Sequence, residues 1–384
     1  MASSACLDFE PRNIFAAISQ LGLGGESPML EDEFRGGQCR IFKLTFRDKE
    51  SLAVRVPLYM SVCSQFEKIP VVEMEVEIVQ MLEAKGFRWA PKCRGYSLSF
   101  DNPLKHPFIV LTWIEGSRLP WNTSFPKQPH RDGLLRQIAS IQLSLIECTL
   151  ENRSTTAKAY FERLLKNRHI RVREGKILDI SDQDCVDQQG YLDHVLGQEQ
   201  DSTIFAIEHG DLKPDNIIID NKFNIQSVID WGFAAFVPIA RAAGVPRFLW
   251  PSLPLCRSDA ITQKDRLSYT MSFASQGSQA ALYMRRWQMT ADVGFHTLYL
   301  ESLFSKGMHA SLARIGWDTP FRKAIKHSRR CSSRDGTENG IGATPLRLTS
   351  RTTGVNCSID DETDKDRHSL LVDGNTFNER PPTL

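Results

Sequence analysis

The sequence predicts an α+β protein of two lobes, a small sheet-rich N-terminal lobe and a larger helical C-terminal one. Before about residue 114, short runs rich in β-branched and aromatic residues alternate with polar, turn-like stretches and are interrupted by one helical segment. Beyond Gly116 the pattern changes, and Leu134, Leu135, Ile138, Ile141 and Leu145 recur at helical spacing. A pair of short apolar runs within this helical region, Ile217 to Ile219 and Ile225 to Ile229, flanks Asp220-Asn221-Lys222 and reads as a hairpin.

The elements follow in order. Residues 1–29 hold a lead-in helix (Ile14, Phe15, Ile18, Leu21) that stops at Gly22, Gly24 and Gly25. The N-lobe is assigned to residues 30–114. It has strands over Gln38 to Phe46 and Ser51 to Val56 about the polar stretch Arg47 to Glu50, a helix from Val71 to Lys85 ended by Gly86, and extended segments at Gly95 to Ser99 and Phe108 to Ile114. The C-lobe, residues 115–324, adds helices near 134–145, 157–166, 260–273, 279–287 and 295–304. From 325 to 384, Ser, Thr, Gly, Asp and Arg dominate, so the segment cannot bury enough surface to offset its ordering entropy and is expected to be a disordered tail. Its Lys326-His327-Ser328-Arg329-Arg330 stretch reads as a solvated basic patch, with a localisation signal as the other reading.

Composition bounds the class. A chain of 384 residues, 41% hydrophobic and 24% charged, is ordinary for a globular protein and excludes a collagen-like or membrane-embedded one. Lys and Arg total 47 against 46 for Asp and Glu, so no global field favours nucleic acid or an anionic membrane, and neither is expected as a partner. Nine scattered cysteines without a C-x-x-C pair suit a reducing compartment. The N-terminus lacks the basic start and apolar core of a signal peptide, and no apolar run has the length of a membrane span. A cytoplasmic location is expected.

The chemistry concentrates in His209-Gly210-Asp211-Leu212-Lys213-Pro214-Asp215-Asn216, followed by Val228-Ile229-Asp230-Trp231-Gly232. This block resembles the catalytic loop and metal-binding motif shared by aminoglycoside phosphotransferases, choline kinase relatives and protein kinases. The resemblance implies a protein-kinase-like fold in which Asp211 is the catalytic base at the attacking hydroxyl, while Asn216 and Asp230 hold Mg²⁺ against the phosphates of ATP or another NTP. The hairpin explains the spacing: it returns the chain to its start, so Asn216 and Asp230 can share one metal. His209 is read as a residue that packs and hydrogen-bonds to hold the loop. A surface turn rich in Asp and Asn is the bland alternative for the whole block.

Upstream, Leu52-Ala53-Val54-Arg55 resembles the V-A-I-K strand of kinases, with Arg55 in place of lysine, and Val54-Arg55-Val56-Pro57 resembles fungal members of the phosphotransferase family. Alternation puts Ala53 and Arg55 on one strand face, where Ala53 leaves room for adenine and Arg55 reaches the phosphates; the alternative is an edge-strand arginine facing water. Of Glu73, Glu75 and Glu77, helical phase puts Glu75 on the inward side with Val71, Ile78 and Leu82, making it the expected partner of Arg55. Gly36 and Gly37 sit where a phosphate-covering loop belongs. Ile109 to Gly116 resembles the interlobe hinge, whose backbone groups, at Thr112 and Ile114, would pair with adenine, a buried strand being the other reading.

Phe233 to Pro238 resembles the phosphotransferase family's continuation, and no A-P-E follows Asp230; with Gly210 where protein kinases usually carry arginine, this favours a small-molecule hydroxyl acceptor. A protein kinase, supported by Lys213-Pro214, and a nucleotide-binding pseudoenzyme or scaffold remain the alternatives. The acidic residues after Pro238, namely Asp259, Asp265, Asp292 and Glu301, are too dispersed for the anionic patch a polycationic aminoglycoside requires.

Overall fold

The computed structural model describes residues 10–35, 39–57, 68–250, 260–274, 276–289 and 293–317. The tail from 325 and its basic stretch, the glycines Gly36 and Gly37, and the acidic residues Asp259 and Asp292 lie outside the described residues.

The N-terminal lobe is an antiparallel sheet of five strands, β1 (Met29–Arg35), β2 (Cys39–Thr45), β3 (Leu52–Pro57), β4 (Cys93–Ser97) and β5 (Phe108–Thr112), in the order β1-β2-β3-β5-β4. The period of two in β2, β3 and β5 divides their side chains between two faces. On one face Phe42, Leu44, Leu52, Val54, Val56, Phe108 and Val110 form a buried cluster with Ile14 and Ile18 of α1 (Asn13–Gln20). The lead-in helix thus belongs to the N-lobe core. On the other face Ile109 and Leu111 meet Val72, Val76, Val79 and Leu82 of α2 (Lys68–Ala84), and Ala53 and Arg55 share that face through their pairing with Leu111 and Ile109. β1 was not expected: Glu31, Asp32, Glu33 and Arg35 give an edge strand a polar, mostly exposed pattern that masks its periodicity.

The remainder is mainly helical, and the fold is the two-lobed α+β arrangement expected. It runs through β6 (Ser117–Arg118), α3 (His130–Thr149), β7 (Glu151–Asn152), α4 (Ala157–Arg173), α5 (Asp182–Gly190), α6 (Leu192–Leu196), β8 (Ile204–Glu208), β9 (Ile217–Ile219), β10 (Ile225–Val228), β11 (Ala235–Pro238), α7 (Ile239–Ala242), α8 (Ala260–Met271), α9 (Gln279–Gln288), α10 (Val293–Ser302) and α11 (Lys306–Ile315). Two small sheets, β10-β9-β6 and β11-β8-β7, frame the segment between β8 and β11.

The passage between lobes is pinned to the hairpin. Gly116 has φ +138°, and a Cβ there would lie 2.5 Å from the Ile219 carbonyl oxygen, so only glycine fits. β6 then pairs with β9, and the Leu119 amide donates to the Ile217 carbonyl at 2.8 Å.

Candidate active site

The segment from β8 to β11 is a loop folded tightly onto itself. Gly210 has φ +81°, and a Cβ would stand 2.0 Å from the Phe233 carbonyl oxygen, so the backbone passes where no side chain fits. His209 ties the loop to the end of the hairpin. Its Nε2 lies 3.0 Å from the Ile229 carbonyl, its Nδ1 accepts from the Asp211 amide at 3.3 Å, and its ring stands edge-on to Trp231. Both ring nitrogens are thus occupied in holding backbone.

Asn216 is buried in a 3-10 turn just before β9, and its Nδ2 donates to the Asp211 carbonyl at 2.8 Å and to Asp211 Oδ2 at 3.0 Å. With its nitrogen committed to Asp211, the amide oxygen is the end left for a cation. The Asn216 carbonyl accepts from the Ile229 amide at 2.8 Å, which sets Asp230 beside it. Asp230 follows in the left-handed region at φ 68°, ψ 63°, a conformation of some cost for a side chain other than glycine. Its carboxylate is about a third exposed and lies 2.6 Å from Arg55 Nη2.

Arg55, buried on β3, is one link between the lobes. Its other terminal nitrogen, Nη1, donates to Glu75 Oε1 on α2 at 2.8 Å, so one guanidinium joins a carboxylate of each lobe. Glu75 is buried whereas Glu73 and Glu77 are exposed. Burial pushes the Glu75 carboxyl up against the opposing pull of Arg55. Burial also pushes Asp230 up, but Arg55, with His209 and Lys213, outweighs it and holds that carboxyl below its usual range. Desolvation works against the charge on Arg55, and its carboxylate neighbours, Asp230 foremost, keep it firmly protonated. Gly232 leaves this corner open: a Cβ there would come within 3.3 Å of Arg55 Nη2 and 3.9 Å of Asp230 Oδ1.

The structure therefore brings Asp211 to Asn216, and Arg55 to Glu75 and Asp230. Ala53 lies on the Arg55 face, half-buried. The Thr112 amide donates to the Lys92 carbonyl at 2.9 Å and its hydroxyl accepts from the Lys92 amide at 3.0 Å, beside β4. Ile114 follows the end of β5. Sequence reasoning gave Lys213 no role in the site, although it noted the Lys213-Pro214 pair; its Nζ lies 2.9 Å from Asp211 Oδ2, a half-exposed cation against that carboxylate.

Among the described residues no group of three or more His, Cys, Asp or Glu gathers as a metal cage. One carboxylate and one amide oxygen are hard donors that suit Mg²⁺, an ion that keeps waters and takes phosphate oxygens rather than a full protein shell. The donor chemistry fits that ion. Of the acidic residues beyond Pro238, Asp265 is spent on Arg131 at 2.6 Å and Glu301 on Arg241 at 2.9 Å, leaving neither as an exposed anion.

Residues 51–241 match the model of the phosphotransferase enzyme family, a span that contains Ala53, Arg55, Glu75, Thr112, Ile114, Asp211, Asn216 and Asp230. No curated protein matches the chain. Among solved structures, a putative aminoglycoside phosphotransferase from Ralstonia eutropha JMP134 is 16% identical, covers 77% of this chain and 99% of its own, and has a TM-score of 0.48. The ADP-bound aminoglycoside phosphotransferase APH(2'')-Ib is 15% identical over 83% of this chain and 96% of its own, with a TM-score of 0.49. The choline kinase of Cryptosporidium parvum Iowa II is 16% identical over 79% and 89%, with a TM-score of 0.43. None of the described helices is long and apolar enough to cross a membrane.

Proposed function

We propose, from the place of residues 51–241 in the phosphotransferase enzyme family, that this chain transfers the terminal phosphate of a nucleotide to a hydroxyl group of a small molecule. The observation that carries the proposal is the guanidinium of Arg55 joined to Glu75 of one lobe and Asp230 of the other, beside Asn216 and Asp211. ATP with Mg²⁺ is the proposed donor, supplying the phosphoryl group and the cationic charge that its transfer requires. Asn216 and Asp230 are assigned to the ion, and Arg55 to the phosphates. Asp211 orients the acceptor hydroxyl and takes its proton, with the Asn216 amide and the Lys213 ammonium fixing the carboxylate at the opposite side of its reactive oxygen. Val54-Arg55-Val56-Pro57 supports a fungal-type member.

Of the acidic residues after Pro238, the two that are described, Asp265 and Glu301, are each paired with an arginine, which weighs against a polycationic acceptor. Purified protein incubated with Mg-ATP and a metabolite panel, scored for phosphorylated products, tests the reading. Asp211→Ala is expected to lower turnover by about two to four orders of magnitude; undiminished turnover in that variant defeats the assignment. The contact between Lys213 and Asp211 favours one second reading, a protein acceptor, and labelled ATP offered to protein mixtures in parallel decides between them.

A further inference from the structure

The five-stranded sheet carries a second cluster of charge, on the face turned away from Arg55. Arg35 closes β1 and stands directly opposite Arg40 of β2, and Arg40 in turn pairs with Val56 of β3. Neighbours along a strand look to opposite faces, so Ile41 lies on the Arg55 side, while Arg40 shares the other side with Phe42 and Val56, in the cluster that holds α1. The Arg40 guanidinium lies 5.4 Å from the Phe42 ring centroid. Like charges directly opposed across a strand pair destabilise it, and here Arg40 is buried as well, which adds the cost of desolvating its charge.

One carboxylate answers both cations. Glu33 Oε1 accepts from Arg35 Nε at 3.0 Å and from Arg40 Nη2. Burial pushes the Glu33 carboxyl up, but the two guanidiniums outweigh it and hold that group below its usual range, so it is fully ionised at neutral pH. Its single negative charge balances one guanidinium and leaves the other. The remaining acids of β1 go to Lys43 instead, Asp32 opposite it in the register and Glu31 paired with it at 3.1 Å. Among the described residues no second carboxylate reaches Arg35 or Arg40. Arg40 Nε is buried without a hydrogen-bond partner among those residues, and Arg35 meets Glu33 through Nε alone on a side chain that is 69% exposed. The pair therefore keeps N–H groups for an acceptor that the surrounding side chains do not supply.

We propose that Arg35 and Arg40 form a binding site for a phosphate group on the outer face of the N-terminal sheet, with Glu33 holding the two guanidiniums side by side. The planar forks of two arginines suit the oxygens of a tetrahedral oxyanion, which can take donors that one carboxylate oxygen cannot. A phosphate monoester carries a charge of about −1.5 to −2 at pH 7, enough to be held by two cations in spite of Glu33. The site lies on the opposite face of the sheet from Arg55 and does not depend on the nucleotide reading above.

Calorimetric titration of the full chain with inorganic phosphate, in the absence and presence of ADP, tests the proposal. Phosphate binding is expected to persist when ADP is present. Arg35→Ala, at an exposed position, is expected to weaken it by about 10-fold or more, the size of a charge-assisted hydrogen bond. Glu33→Gln removes the competing negative charge and is expected to tighten it, a gain that a carboxylate serving only to brace the strands would not give. Tighter binding of glycerol phosphate than of the free ion assigns the site to a phosphorylated metabolite, and the reverse order assigns it to the ion. A wild-type chain that takes up no phosphate at millimolar concentration, phosphate that ADP displaces, or an Arg35→Ala protein that binds it as the wild type does, overturns the site.

Discussion

Two arginines in this protein each bridge a pair of carboxylates, and their surroundings are alike enough to be confused. Arg55 reaches Glu75 at 2.8 Å and Asp230 at 2.6 Å; Arg241 reaches Glu208 at 2.8 Å and Glu301 at 2.9 Å. Each guanidinium is buried, and each has one buried carboxylate and one partly exposed. Burial and charge therefore do not tell a site from a brace. Connectivity does. The partners of Arg241 come from β8 and α10 within the helical lobe, and its guanidinium also lies over Phe304, so the network fastens the strand that leads into residues 209–216. Arg55 joins α2 of the sheet lobe to the residue after the β9–β10 hairpin, and that residue is held in a left-handed conformation. Only the second arrangement spans the two lobes and ends on a carboxylate partly open to solvent.

The largest expected effect breaks both networks in parallel. Removing one partner of a buried ion pair strands the others, at a cost of about 3–5 kcal/mol. Arg55→Met and Arg241→Met should therefore lose comparable stability in urea titrations. They should diverge in their response to ligand. Arg241→Met, measured under conditions where it remains folded, keeps the stabilisation produced by Mg-ATP, and Arg55→Met loses it. Loss of that response in both variants would erase the distinction between site and brace.

Much of this contrast is legible in the sequence. The H-G-D-x-x-x-x-N block with its hairpin, and the phase that buries Glu75 but exposes Glu73 and Glu77, depend on local periodicity, which a sequence displays directly. What escaped depends on partners far away in the chain. Arg241 reads as one more basic residue until Glu208 and Glu301 are brought to it. β8 and β11 are short runs whose strand character is fixed by pairing with each other, Ala235 opposite Glu208 through Pro238 opposite Phe205. α5 is mostly polar, yet Ser181 and Asp184 form a capping box, a signal that could have located its start.

A third arginine sharpens the comparison, because the contacts of Arg168 include uncharged groups. It donates to the carbonyls of Ser302 and Leu303, and its Nη1 lies 3.0 Å from His309 Nδ1. An acceptor nitrogen facing a guanidinium cannot take a proton cheaply. Burial, seconded by the Arg168 charge, pushes the His309 pKa down to about 2. An unfolded histidine titrates near 6.5, so below that pH the unfolded chain binds a proton that the folded chain refuses, and stability must fall as pH falls. The slope is about 1.4 kcal/mol per pH unit, or about 2 kcal/mol between pH 6.5 and 5. Urea midpoints at the two pH values, compared with those of His309→Gln, isolate this contribution. A variant with the same pH dependence as the wild type would remove His309 from the account.

The smallest effect tests why position 55 carries arginine. Arg55 uses separate nitrogens for its two carboxylates, Nη1 for Glu75 and Nη2 for Asp230. Lysine at this position offers one nitrogen, and the buried Glu75 has the stronger claim on it, since Asp230 is about a third exposed and can turn to water. Arg55→Lys should therefore cost only about 1 kcal/mol, the range of an exposed pair. It should also free Asp230 from the guanidinium that occupies it. A divalent ion then meets an unpaired carboxylate, so MgCl₂ without nucleotide should raise the melting temperature of Arg55→Lys more than that of the wild type. An identical response of the two proteins to the ion would mean that the contact between Arg55 and Asp230 does not compete with metal, and that the fork of the arginine serves the fold alone.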